Sequence, residues 1–179
     1  TIYIDDVVWE EQPLCPDVNA IMFGGSTSNT ASISWNAGGS ETAWEYVYGL
    51  ATVTDPTTLT PYPVTGTPAT VINGLLPSTT YKVWVRSTCG TDLGAFSSPL
   101  TFVTACEAIS ALPWNEGFEG ITTVGTTAFP PCWSKENGDW ATALTGTYNT
   151  PRTGTKYLRD SYSATNEYIW TPGFEMTAG

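Results

Sequence analysis

The side chains of this chain that could perform acid–base or metal chemistry are carboxylates and thiols, because the sequence contains no histidine. This absence excludes the usual general base, Ser-His-Asp triads and histidine-ligated zinc or iron sites. Two glutamate pairs, Glu41/Glu45 and Glu116/Glu119, would suit glycoside hydrolysis in principle, since that reaction uses two carboxylates flanking one bond. Spacings of i, i+4 and i, i+3 do not by themselves form a facing pair on strands. We therefore expect no enzymatic activity.

Four cysteines, Cys15, Cys89, Cys106 and Cys132, allow three disulfide pairings. No two of them form a Cys-x-x-Cys motif, so the sequence indicates neither a thiolate metal cluster nor a redox motif. An even number of cysteines in an acidic chain favours disulfides formed in an oxidising compartment. The alternative is four buried free thiols.

Aromatic side chains are the third group of candidate functional residues, because exposed rings can stack on sugar rings. Trp44 lies on the same face of a predicted strand as Tyr46 and Tyr48. We take Trp44 and Trp140 as candidate glycan contacts, and Trp133, Tyr148 and Trp170 as further candidates. For all of these residues the alternative is packing in the core, which is the usual place of aromatic residues in small domains.

The charge of the chain narrows its possible partners. The formal net charge is −11, with only six lysines and arginines, so nucleic acid and anionic membrane surfaces are poor partners. No apolar run is long enough to insert into a membrane. The chain carries neither an initiating methionine nor a signal peptide, and we expect it to be an internal segment of a longer secreted protein.

The composition predicts an all-β fold. Hydrophobic residues make up 41% of the chain and charged residues 13%. Threonine, serine, glycine and proline are frequent, which is typical of short strands joined by turns, and no segment shows a sustained helical period. Between about residues 14 and 105 we predict seven strands, at 18–23, 31–36, 44–50, 51–54, 69–73, 80–87 and 97–104.

The sequence INGLLPSTTYKVWVRSTCG, from Ile72 to Gly90, has the spacing of one particular corner between two sheets. Tyr81 opens a strand in which Val83 and Val85 alternate with Lys82, Trp84 and Arg86. These residues closely resemble a fibronectin type III domain, which would occupy residues 13–105. In such a corner the tyrosine ring packs on the core and its hydroxyl bonds to nearby backbone.

The flanking segments resemble pieces of a second kind of module. Pro113 to Glu119, Pro131 to Trp133 and Trp170 to Phe174 are similar to motifs of jelly-roll modules of the MAM or cleaved-adhesin type. Residues 106–179 would form the opening part of one such module, and residues 1–12, with Ile4 to Val7, the closing strand of a preceding one. The predicted fold is therefore a fibronectin type III-like β-sandwich plus a partial jelly-roll β-sandwich. We expect the two flanking segments to belong to neighbouring copies in a tandem array, or to meet through contacts between chains.

The two resemblances imply specific pairings and one metal ion. The fibronectin-like topology implies a disulfide between Cys15 and Cys89, which leaves Cys106 to pair with Cys132. MAM-like modules often hold a structural Ca²⁺ between their first and last strands, and six to eight oxygen ligands must converge on such an ion. The positions that correspond are the four acidic residues Asp5, Asp6, Glu116 and Glu119. The alternative is that these are solvated carboxylates in turns.

These resemblances imply a non-enzymatic segment of a large bacterial cell-surface adhesin, a stalk or adhesive array used in attachment or gliding. The expected location is extracellular or at the cell surface. The expected partners are neighbouring modules of the same chain, and surface glycans or proteins. The alternative function is a carbohydrate-binding accessory region of a secreted hydrolase or protease, and a third is protein docking along an exposed strand edge.

Overall fold

A computed structural model of the chain describes residues 15–146, 149–161 and 166–175. The chain divides into two compact units, and the boundary falls between Ala105 and Cys106. Regular structure in the described ranges is almost entirely antiparallel β-strand, so the all-β prediction is confirmed. Within these ranges no helix has the length and apolar character that crossing a membrane requires. The proposed strand at residues 1–12 lies outside the described residues.

The first unit is a sandwich of two antiparallel sheets. One sheet has the order β1-β2-β5, and the other has the order β4-β3-β6, with β7 and β8 both pairing on the far side of β6. This is the strand order of a fibronectin type III sandwich. The strands are β1 (Asn19–Ser26), β2 (Thr30–Asn36), β3 (Ala43–Leu50), β4 (Tyr62–Thr65), β5 (Ala69–Asn73), β6 (Thr80–Cys89), β7 (Asp92–Leu93) and β8 (Leu100–Val103).

Alternation along the strands builds the core of this unit. In β2 the side chains of Ala31, Ile33 and Trp35 are buried, whereas those of the intervening serines point away from the core. The period of two places every second side chain on the face that meets the opposite sheet. The core cluster consists of Val18, Ala31, Ile33, Trp35, Trp44, Tyr46, Ile72, Leu75, Tyr81, Val83, Val85 and Phe102.

The outer face of β3 and β6 is also partly buried. Val47 and Trp84 are directly opposite each other on this face, and both are inaccessible to solvent. The connection after β3 covers this side, and its Val53 and Leu59 side chains pack against Gly49. Alternation alone predicts one buried face, so the second one was not expected from the sequence.

The same connection changes two of the predicted strand positions. Residues 51–54 form a turn and not a strand, since the Val53 N–H donates to the Leu50 carbonyl oxygen at 2.9 Å. The strand that pairs with β3 is instead β4, which includes Pro63. Proline is tolerated there because β4 is an edge strand with β3 as its one neighbour.

The corner at Tyr81 has the geometry that the sequence predicted. The Tyr81 ring is buried and stacks on Phe102 with a centroid distance of 5.9 Å. Its hydroxyl accepts a hydrogen bond from the Leu76 N–H at 3.0 Å. The corner therefore ties the turn before β6 to the core through one side chain.

Replacing Tyr81 with phenylalanine is expected to lower the free energy of unfolding of the first unit by about 1–3 kcal/mol. The ring still fills its place in the core, but the Leu76 N–H loses its acceptor in a partly buried position. Urea unfolding would measure the change. Tyr168→Phe, the same substitution at an exposed tyrosine, is the control and should shift stability by less than about 0.5 kcal/mol.

The second unit is built from two separate pairs of antiparallel strands. Strand β9 (Ser134–Glu136) pairs with β12 (Tyr168–Trp170), and β10 (Ala141–Leu144) pairs with β11 (Lys156–Arg159). Among its described residues only Pro130, Ala141 and Thr142 are fully buried. The described part contains pairs of strands and no closed sandwich, and the jelly-roll assignment stays a prediction.

Candidate functional site

The structure joins Cys15 to Cys89 and Cys106 to Cys132, the pairing that the resemblance implied, and leaves no free thiol among the described cysteines. The Cα–Cα distances are 5.5 Å and 5.9 Å, within the usual range for disulfides. The first bond ties the segment before β1 to the end of β6. Each unit therefore contains its own covalent cross-link.

Aromatic residues from the three jelly-roll-like motifs come together in the second unit. Trp114 stacks on Trp133 with a centroid distance of 6.2 Å and meets the edge of Phe174 at 5.8 Å. Phe118 contacts Trp133 edge-on at 5.4 Å. The backbone of Ile109 bonds to Gly173 and Glu175, the residues on either side of Phe174. These short motifs therefore form one aromatic cluster that packs the second unit.

Glu119 binds the loop that leads into β11. Its carboxylate accepts hydrogen bonds from the backbone N–H groups of Thr155 at 2.8 Å and Lys156 at 2.7 Å, and from the Thr155 hydroxyl at 3.1 Å. Gly154 has φ +72°, and a Cβ atom there would overlap the Glu119 carboxylate. The Lys156 ammonium donates to the carbonyl oxygens of Glu119 and Ile121. Glu119 therefore holds two distant segments of the unit together.

Because the Lys156 and Thr155 N–H groups bind its charged form, the pKa of Glu119 lies below the usual value of 4.5. A carboxylate whose pKa is lowered in the folded state contributes its full stabilisation at pH values above its usual pKa. This stabilisation is lost as the pH falls through the lowered pKa. We expect the unfolding temperature of the second unit to decrease as the pH is lowered below about 4.5. Glu119→Gln should lower this temperature at pH 7 and weaken its acid dependence.

Differential scanning calorimetry from pH 7 to pH 3 would test this prediction. Glu107→Gln, at an exposed glutamate of the same unit, is the matched control and should leave the acid dependence as it is in the parent chain. An unchanged acid dependence in Glu119→Gln would contradict the role assigned to this carboxylate.

Two of the four acidic residues proposed for calcium, Glu116 and Glu119, lie within the described residues. Glu116 accepts a hydrogen bond from the Phe118 N–H at 2.5 Å, and the Glu119 carboxylate accepts one from the Thr155 N–H. Asp5 and Asp6 lie outside the described residues. Within the described ranges no group of three or more cysteine, aspartate or glutamate side chains is arranged to hold a metal ion. The calcium site stays a prediction.

The glutamate pair of the first unit has structural partners. The Glu41 carboxylate accepts from the N–H groups of Gly38 at 2.6 Å and Gly39 at 2.8 Å. Burial raises the pKa of Glu41, but these and other hydrogen bonds outweigh it, so that its pKa lies below the usual value. Glu45 forms an ion pair with Arg86 at 2.5 Å. Both carboxylates are therefore bound by groups within the sandwich.

Trp44 is not available to stack on a sugar, and its assignment as a glycan contact is corrected. It is 2% exposed and packs edge-on against Trp35 with a centroid distance of 5.8 Å. The strand face that it shares with Tyr46 is the face toward the opposite sheet, so the alternative of core packing holds. Trp140 is half-buried, and its indole nitrogen is inaccessible to solvent.

Two exposed aromatic rings of the second unit lie on β12. Tyr168 is 47% exposed and Trp170 is 54% exposed, and their rings stack with a centroid distance of 6.1 Å. Trp170 was a candidate from the sequence, but Tyr168 was not. Of the other candidates, Trp133 belongs to the aromatic cluster and Tyr148 lies outside the described residues. The alternation in Tyr-Ile-Trp indicates that the rings of Tyr168 and Trp170 share one face of a strand, but not that this face is exposed.

No family model matches the chain. The chain is 35% identical over 141 residues to a protein named endoglucanase B from Cellulomonas fimi. The match includes 72% of this chain but only 13% of that protein, so the chain corresponds to a small part of its relative. Neither unit alone makes up 72% of the chain. The similarity therefore crosses the boundary between the two units.

Solved structures similar to this chain are fibronectin type III domains. They include the domain of human collagen α-1(XX), with a TM-score of 0.45 and 20% identity over 57% of this chain and 96% of that one. The FN5 domain of Drosophila Lar has a TM-score of 0.44 and 16% identity, covering 52% of this chain and 99% of that one. The FN1–FN3 domains of chicken CNTN1 have a TM-score of 0.45 and 19% identity, covering 49% of this chain and 30% of theirs. By the order of its strands, the first unit has a fibronectin type III-like fold.

Proposed function

We propose that this chain is a non-catalytic accessory region of a longer extracellular enzyme that degrades polysaccharides. The observation that carries the proposal is the similarity to endoglucanase B, which crosses the boundary between the two units and includes only a small part of that protein. Two disulfides in a chain of this size suit an oxidising, extracellular environment. The carboxylates that could act in hydrolysis are bound by groups of the chain itself.

A fusion experiment tests this proposal. The chain would be attached to the catalytic domain of a characterised endoglucanase that lacks accessory modules, with an unstructured linker of equal length as the control. We expect the chain alone to release no reducing sugar from carboxymethylcellulose. The fusion should hydrolyse soluble cello-oligosaccharides at the rate of the catalytic domain alone and insoluble cellulose faster. Hydrolysis by the chain itself, or no gain on insoluble cellulose, would contradict the proposal.

A second candidate is a stalk segment of a bacterial surface adhesin, in which neighbouring modules of one chain follow each other directly. The observation that favours it is the junction between the units. The Ala105 N–H donates to Thr27 within the first unit, and the next residue, Cys106, is already cross-linked within the second. No free linker residue separates the two modules. If the chain is such a stalk segment, the fusion would hydrolyse insoluble cellulose no faster than the catalytic domain alone.

A further inference from the structure

Strands β9 and β12 form a two-stranded sheet with one face open to solvent. Tyr168 and Trp170 lie on this face, and Ile169 between them points to the other side and is half-buried. The two rings are inclined by 26° to each other. Adjacent exposed apolar side chains with polar neighbours are a common feature of binding sites. This face, with Tyr168 and Trp170 at its centre, is called the aromatic face below.

The aromatic face differs from the other ring contacts among the described residues. In those contacts at least one ring is buried or half-buried, as where the exposed Phe23 ring stacks on the buried Phe102. Only in the contact between Tyr168 and Trp170 are both rings exposed. The pair therefore adds little to the packing of its own unit.

Polar side chains stand beside the two rings. In the register of the sheet, Tyr168 lies opposite Glu136 and Trp170 lies opposite Ser134. Residues directly opposite in an antiparallel pair share one face, and both polar side chains are exposed. A carboxylate and a hydroxyl provide the hydrogen-bonding groups that sugar hydroxyls need, next to rings on which the C–H face of a sugar can stack.

The charge at this face selects among glycans. Lys135 lies between Ser134 and Glu136 on the opposite side of the strand, where its ammonium donates to the Trp140 carbonyl oxygen at 3.1 Å. The aromatic face therefore carries a carboxylate and no cation from either strand, in a chain with a net charge of −11. An anionic polysaccharide would be repelled, whereas a neutral one would not.

We propose that the aromatic face binds a neutral polysaccharide chain, with sugar rings stacked on Tyr168 and Trp170 and hydroxyls bonded to Glu136 and Ser134. This proposal rests on the proposed accessory function, because that function indicates the kind of glycan, a glucan. It places the binding site on the second unit. Most of the described aromatic rings of the first unit are buried, and we assign no sugar contact to them.

Isothermal titration with cellohexaose, and depletion by insoluble cellulose, test the aromatic face directly in the full chain. We expect binding to cellohexaose and none to polygalacturonate, an acidic polymer. Trp170→Ala and Tyr168→Ala should each weaken binding about tenfold or more, because each removes one stacking surface. Trp170→Phe should retain most of the affinity. Phe23→Ala, which removes an exposed ring from the first unit, is the matched control and should bind like the parent chain.

Three outcomes would overturn the inference. The first is unchanged binding in Trp170→Ala and Tyr168→Ala, and the second is no binding by the parent chain. The third is a dimer, detected by sedimentation, that Trp170→Ala converts to monomer without any effect of glycan, which would make the face a contact between copies. If the fusion still hydrolyses insoluble cellulose faster with either variant, the accessory function stands and only the site assignment fails.

Discussion

Replacing both Cys15 and Cys89 with alanine is expected to lower the free energy of unfolding of the first unit by about 4.5 kcal/mol. The bond closes a loop with a sequence separation of 74 residues, and opening it restores that loop entropy to the unfolded chain. A domain of this size is stable by only about 5–15 kcal/mol, so the loss is a large share of the total. Neither cysteine belongs to the core cluster, so we expect the contacts within that cluster to remain.

Trypsin provides a measurement that separates the two units. The chain has six cleavage sites, and the two in the first unit, Lys82 and Arg86, both lie on the central strand β6. Cleavage there requires the sandwich to open, so its rate reports the population of the open form. The double alanine variant should be cut at these two sites much faster than the parent chain. Equal rates would contradict the predicted loss.

Local sequence patterns predicted part of the first unit, and the parts that they missed depend on tertiary packing. In β2 and β6 alternation reflects one buried face, and the Tyr81 corner is a local motif, so both are visible in the sequence. The burial of Val47 and Trp84 depends on the connection that folds over them. That packing is tertiary and leaves no period in the sequence. The position of β4 was missed for a related reason, because an edge strand tolerates proline.

For the candidate site, too, some features could be predicted from the sequence, and others depend on tertiary packing. The cysteine pairs followed from the topology that the resemblance implied, and the structure forms them. Trp44 was placed on the correct strand face, but a strand does not reveal which of its faces meets the opposite sheet. The exposure of Tyr168 and Trp170 depends on pairing with β9, which is about thirty residues away in the sequence. Nothing local distinguishes such rings from core residues.

Replacing both Cys106 and Cys132 with alanine is expected to unfold the second unit and leave the first unit folded. The bond closes a loop with a sequence separation of 26 residues, so its loss costs about 3.5 kcal/mol. The described part of this unit fully buries only three residues, and its aromatic cluster is partly open to solvent. A unit of 74 residues with so small a core is expected to have a small free energy of unfolding. Its cross-link is therefore expected to decide whether it folds.

The remaining four trypsin sites report on this unit, because Lys135, Arg152, Lys156 and Arg159 all lie within it. In the variant these sites should be cleaved rapidly, leaving a protected fragment that ends at Lys135 and still contains Lys82 and Arg86. The variant without Cys15 and Cys89 is the matched control, and its pattern should be the reverse. Protection of all four sites in the absence of the Cys106–Cys132 bond would show that the aromatic cluster and the Glu119 contacts suffice. In that case the bond would serve durability outside the cell and not folding itself.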